Sequence, residues 1–221
     1  MVNLENVRNF IKSINKVEAK IFNKSGPDVP LYIYKRSAKA IKDQKLIIEG
    51  LYIEPQTSKT IVSVLSVVKK NRLILVDINY ANEMVSYSLI NKFFPPSMMV
   101  TKHNKQIFKK IFWNFKKPLI FSDFNFLNNP LLKPLLVYRK AYQEYLSIES
   151  GGIVEIYLKL EDIDDKNWLV YIFDKNNNYL LSLLTYDKQS MRLIKIEGVI
   201  FPNLNLTNDT REYIMEFTYH D

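Results

Sequence analysis

In a chain without cysteine, histidine is the first side chain to ask about, as the most versatile acid–base group and metal ligand left. The 221 residues hold two, His103 and His220. A serine–histidine–carboxylate arrangement would have to use one of them, but no G-x-S-x-G turn supplies the serine. His103 falls in a lysine-rich stretch and reads as a surface group. His220 is next to the last residue and reads as a mobile one. The densest acidic run, Glu161-Asp162-Ile163-Asp164-Asp165, has carboxylates at a spacing that suits Mg²⁺ or Ca²⁺, and reads more simply as an acidic loop between strands. Asp174-x-Asn176-x-Asn178 begins like a calcium loop, but Tyr179 stands where the glycine is needed and Thr185 where the closing glutamate belongs. Glu49, Asp77, Glu155 and Lys159 fall on expected strands, and their convergence would make a metal-dependent nuclease site; no spacing marks one. The expectation is therefore no catalytic residue, no metal site and no cofactor.

Composition removes further classes. The absence of cysteine excludes disulfides, thiolate zinc sites and cysteine nucleophiles, and fits a reducing compartment. The five glycines are mostly isolated, with no G-x-x-x-x-G-K and no G-x-G-x-x-G, so P-loop hydrolysis and dinucleotide redox chemistry are not expected. A hydrophobic content of 47% is that of a folded chain rather than a disordered one.

The strongest binding signal is TKHNKQIFKKIFWNFKKPLIF, Thr101 to Phe121, with six lysines and no acid. Wound as a helix from about Lys102 to Phe115, it puts Ile107, Phe108, Ile111, Phe112 and Phe115 on one face. Lys102, Lys105, Lys109 and Lys116 come round on the other with Trp113 nearby, flanked by Lys110 and Lys117. Such a face suits backbone phosphates, with Trp113 placed to stack a base. It equally suits an anionic membrane surface or partner groove, or plain solvation. Lysine rather than arginine points to contact without base reading. Lys35, Arg36 and Lys39 extend the set if the fold brings them alongside.

Charge divides along the chain. Residues 1–150 carry 24 Lys/Arg against 11 Asp/Glu, a charge of +13, and residues 151–221 carry 7 against 12, a charge of −5. Such asymmetry points to an anionic partner or to complementary surfaces. The pair Gly151-Gly152 stands where the charge changes, which places a boundary near residue 150.

The elements that must position these groups follow from periodicity. Leu4, Val7, Ile11, Ile14 and Ile21 predict a helix from Asn3 to about Asn23. LIIEGLYIE, TIVSVLSVV and RLILVDINY, from Leu46 to Tyr80, predict a three-stranded meander. Further helices are expected over residues 82–93 and 131–148. Residues 153–160, 168–173, 179–185, 193–200 and 212–219 read as antiparallel strands, with Asp174–Asn178 a hairpin turn. The sequence thus predicts an α+β chain. A basic part, residues 1–150, has helices around a small antiparallel sheet, and an acidic antiparallel β-rich part, residues 151–221, docks on it. The function expected is non-enzymatic binding or assembly, the basic part contacting nucleic acid or an acidic protein surface in an oligomer or larger assembly such as a viral or phage particle. A metal-dependent nuclease and a peripheral membrane-surface protein are the alternatives. No secretory signal or spanning segment is visible, so the expected location is the cytoplasm or a virion.

Overall fold

Alternation of period two, rather than a spacing of three and four, governs the apolar runs. In β3 (Lys45–Glu54), Leu46, Ile48 and Tyr52 are buried while Glu49 between them is exposed, the signature of a strand with one face on a core. The computed structural model describes residues 16–26, 28–41, 45–69, 72–81, 84–90, 97–111, 119–120, 132–147, 152–198 and 213–220. The described residues form fifteen strands, whose hydrogen-bonded order is β8-β7-β6-β5-β4-β3-β2-β1-β15-β14-β13-β12-β11-β10-β9. The α+β expectation is corrected by this: helix among the described residues is confined to α1 (Leu132–Tyr138).

The chain clusters into two compact units, residues 1–20, 31–115 and 218–221 in one and residues 21–30 and 116–217 in the other. In the first unit, β2 (Tyr32–Ile41), β3, β4 (Lys59–Lys69), β5 (Arg72–Tyr80), β6 (Val85–Ile90), β7 (Ser97–Lys102) and β8 (Lys105–Ile111) pair antiparallel in chain order. The meander read from the sequence is present as β3, β4 and β5. Registered neighbours put Ile48, Val64, Ile78, Leu89 and Met98 on one face, all at most 3% exposed; burying such a side chain contributes about 1.5–3 kcal/mol. Gly50 lies under the ring of Tyr34, where an added Cβ would come 2.9 Å from Tyr34 Cε2, and Tyr34 in turn packs on Tyr52 with centroids 4.8 Å apart.

In the second unit, β10 (Lys140–Ser147), β11 (Gly152–Asp162), β12 (Asn167–Asp174), β13 (Tyr179–Asp187), β14 (Leu193–Gly198) and β15 (Tyr213–Tyr219) are likewise antiparallel. The two-residue β9 (Leu119–Ile120) pairs parallel with β10. Ile156, Leu158, Val170, Ile172, Leu184 and Ile196 form the buried face, and α1 packs Leu132 and Leu135 at 0% exposure. Gly198 has φ +110° and a Cβ there would meet Leu181 O at 2.4 Å, so only glycine fits.

Four expected helices are corrected where they are described. Residues 16–23 form β1 (Lys16–Asn23), because Val17, Ala19 and Ile21 alternate inward; residues 3–15 lie outside the described residues. The segment expected as a helix over 82–93 contains β6. The lysine stretch is the end of β7 and all of β8, joined by His103 and Asn104 at φ 48° and 61°. Two consecutive positive φ values make a type I′ hairpin turn. The helix expected over 131–148 stops at Tyr138. There Arg139 turns to φ 60° and donates its N–H to Leu135 O at 2.8 Å, and β10 begins at Lys140. This is the left-handed cap that ends helices. Among the described residues no helix is long and apolar enough to cross a membrane.

Candidate functional site

On the solvent face of the second unit, strand register assembles an aromatic row. Tyr142 on β10 is opposite Tyr157 on β11, and Tyr157 is opposite Phe173 on β12. Tyr171, two residues before Phe173, shares its face. Ring centroids are 5.0 Å apart for Tyr142–Tyr157, 6.0 Å for Tyr157–Phe173 and 6.0 Å for Tyr171–Phe173, the last two rings within 8° of parallel. Cross-strand aromatic pairs stabilise a sheet on their own account, but this row also remains accessible: Tyr142 is 69% exposed and the other three are half-buried. Leu169 and Leu183 continue the apolar surface beside it, half-buried on the same face.

Two charged pairs, Lys175–Glu155 and Lys159–Glu161, lie at its margin, and Lys140 is registered opposite Lys159. Lys175 bonds Glu155 at 2.5 Å and places its ammonium 5.8 Å from the centre of the Tyr142 ring, a cation–π contact. Lys159 bonds Glu161. That bond, with the attraction of the same carboxylate, raises the Lys159 pKa, and the bond from Lys159 lowers that of Glu161. The Tyr171 hydroxyl also donates to Glu161, and burial is the first cause pushing the phenol above its ordinary range. The row therefore offers ring surface and hydroxyl tips with little net charge.

A second feature is a pocket of about 360 Å³ in the first unit. Lys16 and Glu18 on β1, Lys35 and Ser37 on β2, and Glu49 and Leu51 on β3 line it, together with His220 and the buried Val17 and Arg36. Glu18 takes Lys35 at 3.5 Å and His220 Nε2 at 3.8 Å, and the His220 N–H donates to Lys16 O at 3.0 Å. That backbone bond fixes a residue the sequence marks as mobile.

The expected nucleic-acid residues are brought together only in part: Lys102 is registered opposite Lys105. Lys102 ends β7, and Lys105, Lys109 and Lys110 are on β8, with Lys109 opposite Met99 and Lys110 opposite Met98, so these two lysines point to opposite faces. On β2, Lys35 and Lys39 share one face, while Arg36 lies on the other and is 3% exposed. β2 and β8 stand six strand spacings apart in the order, about 29 Å. Trp113, Lys116 and Lys117 lie outside the described residues. The helix that would have set the lysines on one face with Trp113 is absent: register leaves Lys102, Lys105 and Lys110 on one face of the hairpin and Lys109 on the other, and the reading of a basic helical face for nucleic acid is corrected. The viral or phage assembly reading, which no motif carried, is corrected with it, as is the membrane-surface reading, which needed the amphipathic helix. Of the nuclease candidates, Glu49 and Asp77 belong to one unit and Glu155 and Lys159 to the other, where Glu155 pairs with Lys175 and Lys159 with Glu161. Among the described residues no group of three His, Asp or Glu is placed to hold a metal. In the acidic run, Asp162 is held by Arg139 at 2.7 Å and Lys188 at 2.9 Å. Asp164 accepts the Lys166 and Asn167 N–H groups, both at 2.7 Å.

No protein-family profile and no curated protein matches the chain. Among solved structures, similarity is found to a domain from Vibrio parahaemolyticus named for outer membrane lipoprotein sorting, at 10% identity and a TM-score of 0.25 over 99% of this chain and 88% of that one. A DUF1329 family protein from Desulfovibrio piger is similar at 14% identity and a TM-score of 0.24 over 97% and 88%. Neither is named for a virus or for nucleic acid; at these scores the likeness carries no argument about this chain, and the corrections above rest on its own geometry.

Proposed function

We propose that the protein is a non-catalytic binding protein for an uncharged apolar ligand held along the aromatic row of the second unit. The observation that carries the reading is the row itself: four rings at 5–6 Å intervals across β10, β11 and β12, left accessible on a sheet face where Lys159 and Lys175 are paired with Glu161 and Glu155. Exposed apolar surface of this kind is costly in water, at about 25 cal/mol per Å², and contiguous patches mark binding sites more often than chance. Rings present large, stiff contact area that loses little entropy on binding. A polyanion finds no free row of cations here, whereas an apolar body finds continuous carbon surface.

The test is titration with the neutral fluorescent probe N-phenyl-1-naphthylamine. Wild type should give a saturable enhancement, and Tyr142→Ala combined with Tyr157→Ala should weaken binding about tenfold. Tyr142→Ala alone, at a 69% exposed position, should weaken it less while leaving the fold intact. A response that does not saturate, or one untouched by either variant, would overturn the proposal.

A further inference from the structure

The pocket of the first unit is separate from the aromatic row and carries charge of both signs. Its volume of about 360 Å³ is at the small end of ligand sites. Glu18 is already engaged by Lys35 and His220. Among the described residues no hydrogen bond or ion pair engages the Lys16 ammonium or the Glu49 carboxylate. These two groups stand on β1 and β3 with β2 between them, two strand spacings or about 10 Å apart across the sheet, and both line the pocket. Leu51, half-buried, adds apolar wall. A simple anion placed here would meet the Glu49 carboxylate, and a simple cation would meet Lys16 and Lys35. A molecule with one charge of each sign meets neither obstacle.

We propose that this pocket binds a small zwitterion of amino-acid or dipeptide size, its carboxylate on Lys16 and its ammonium on Glu49. Isothermal titration with glycyl-leucine tests this against two capped relatives: N-acetylglycyl-leucine, which lacks the ammonium, and glycyl-leucinamide, which lacks the carboxylate. Wild type should bind the parent at least about tenfold more tightly than either capped form, since each loses one charge-assisted bond. Glu49→Gln should reduce glycyl-leucine to the affinity of the acetylated form while leaving the latter unchanged. Lys16→Gln should do the same with respect to the amide. Both positions are exposed, so both variants should fold, which circular dichroism would verify. No heat from the parent dipeptide, equal affinity for all three ligands, or wild-type binding by both variants would overturn the proposal.

Discussion

Asp162 shows how a cluster of acids is put to structural use. Its carboxylate takes Lys188 at 2.9 Å and Arg139 at 2.7 Å, and the Lys188 bond, followed after desolvation by the Arg139 bond, holds its pKa below the ordinary aspartate value. A depressed folded-state pKa means that the stabilisation is present above the unfolded value, about 3.9. It is lost as pH falls through the lower folded value. Asp162→Asn should therefore lower the urea midpoint at neutral pH, and the gap to wild type should close in strong acid. Urea melts of both proteins from about pH 7 to about pH 2 measure this; a gap that persisted at the acid end would show that the carboxylate acts through packing rather than charge. The same residue explains why the acidic run misleads as a metal candidate: carboxylate spacing is visible in sequence, while the cations that occupy it, Arg139 and Lys188, arrive from α1's end and the turn after β13.

The hairpin of β7 and β8 is where two periodicities compete. KQIFKKI reads as a helical stripe through Ile107, Phe108 and Ile111, yet the same letters serve a strand, and a run this short does not decide between them. The deciding signal is His103-Asn104, a two-residue turn with both φ angles positive, in which asparagine is at home and histidine is tolerated. Replacing the pair by Asn-Gly should stabilise the protein by about 0.5–1 kcal/mol, measured by urea unfolding. In a helix, glycine in place of Asn104 would instead cost about 0.3 kcal/mol, so the sign of the change tests the element. As the edge of the order, β8 also gives its lysines a role that needs no ligand, since charged edges discourage strand-to-strand aggregation. By contrast the strands of β11 to β15 were legible, because Asn-rich turns and clean alternation leave no helical alternative. Lys140–Ser147 was not, because Tyr138, Tyr142 and Tyr145 also fit a helical face.

At the scale of the whole chain, the +13 and −5 halves are the plainest feature of the sequence and a poor guide to its surfaces. Charge counted along the chain becomes a surface only through strand register, which sends neighbouring lysines to opposite faces and sets β2 about 29 Å from β8. Both the aromatic row and the pocket were hidden for the same reason: the rings of the row come from three strands, and His220 meets Lys16 from the far end of the sequence. The formal net charge of +8 then provides a control on the functional reading. Contacts made to phosphates weaken steeply with salt, whereas burial of a neutral ligand on rings is little screened. The affinity for N-phenyl-1-naphthylamine should change less than about twofold between about 50 mM and about 500 mM NaCl. Hydrogen–deuterium exchange with the probe bound should show added protection confined to β10, β11 and β12. A steep loss of binding with salt, or protection centred on β7 and β8, would place the ligand on the lysines instead of the rings.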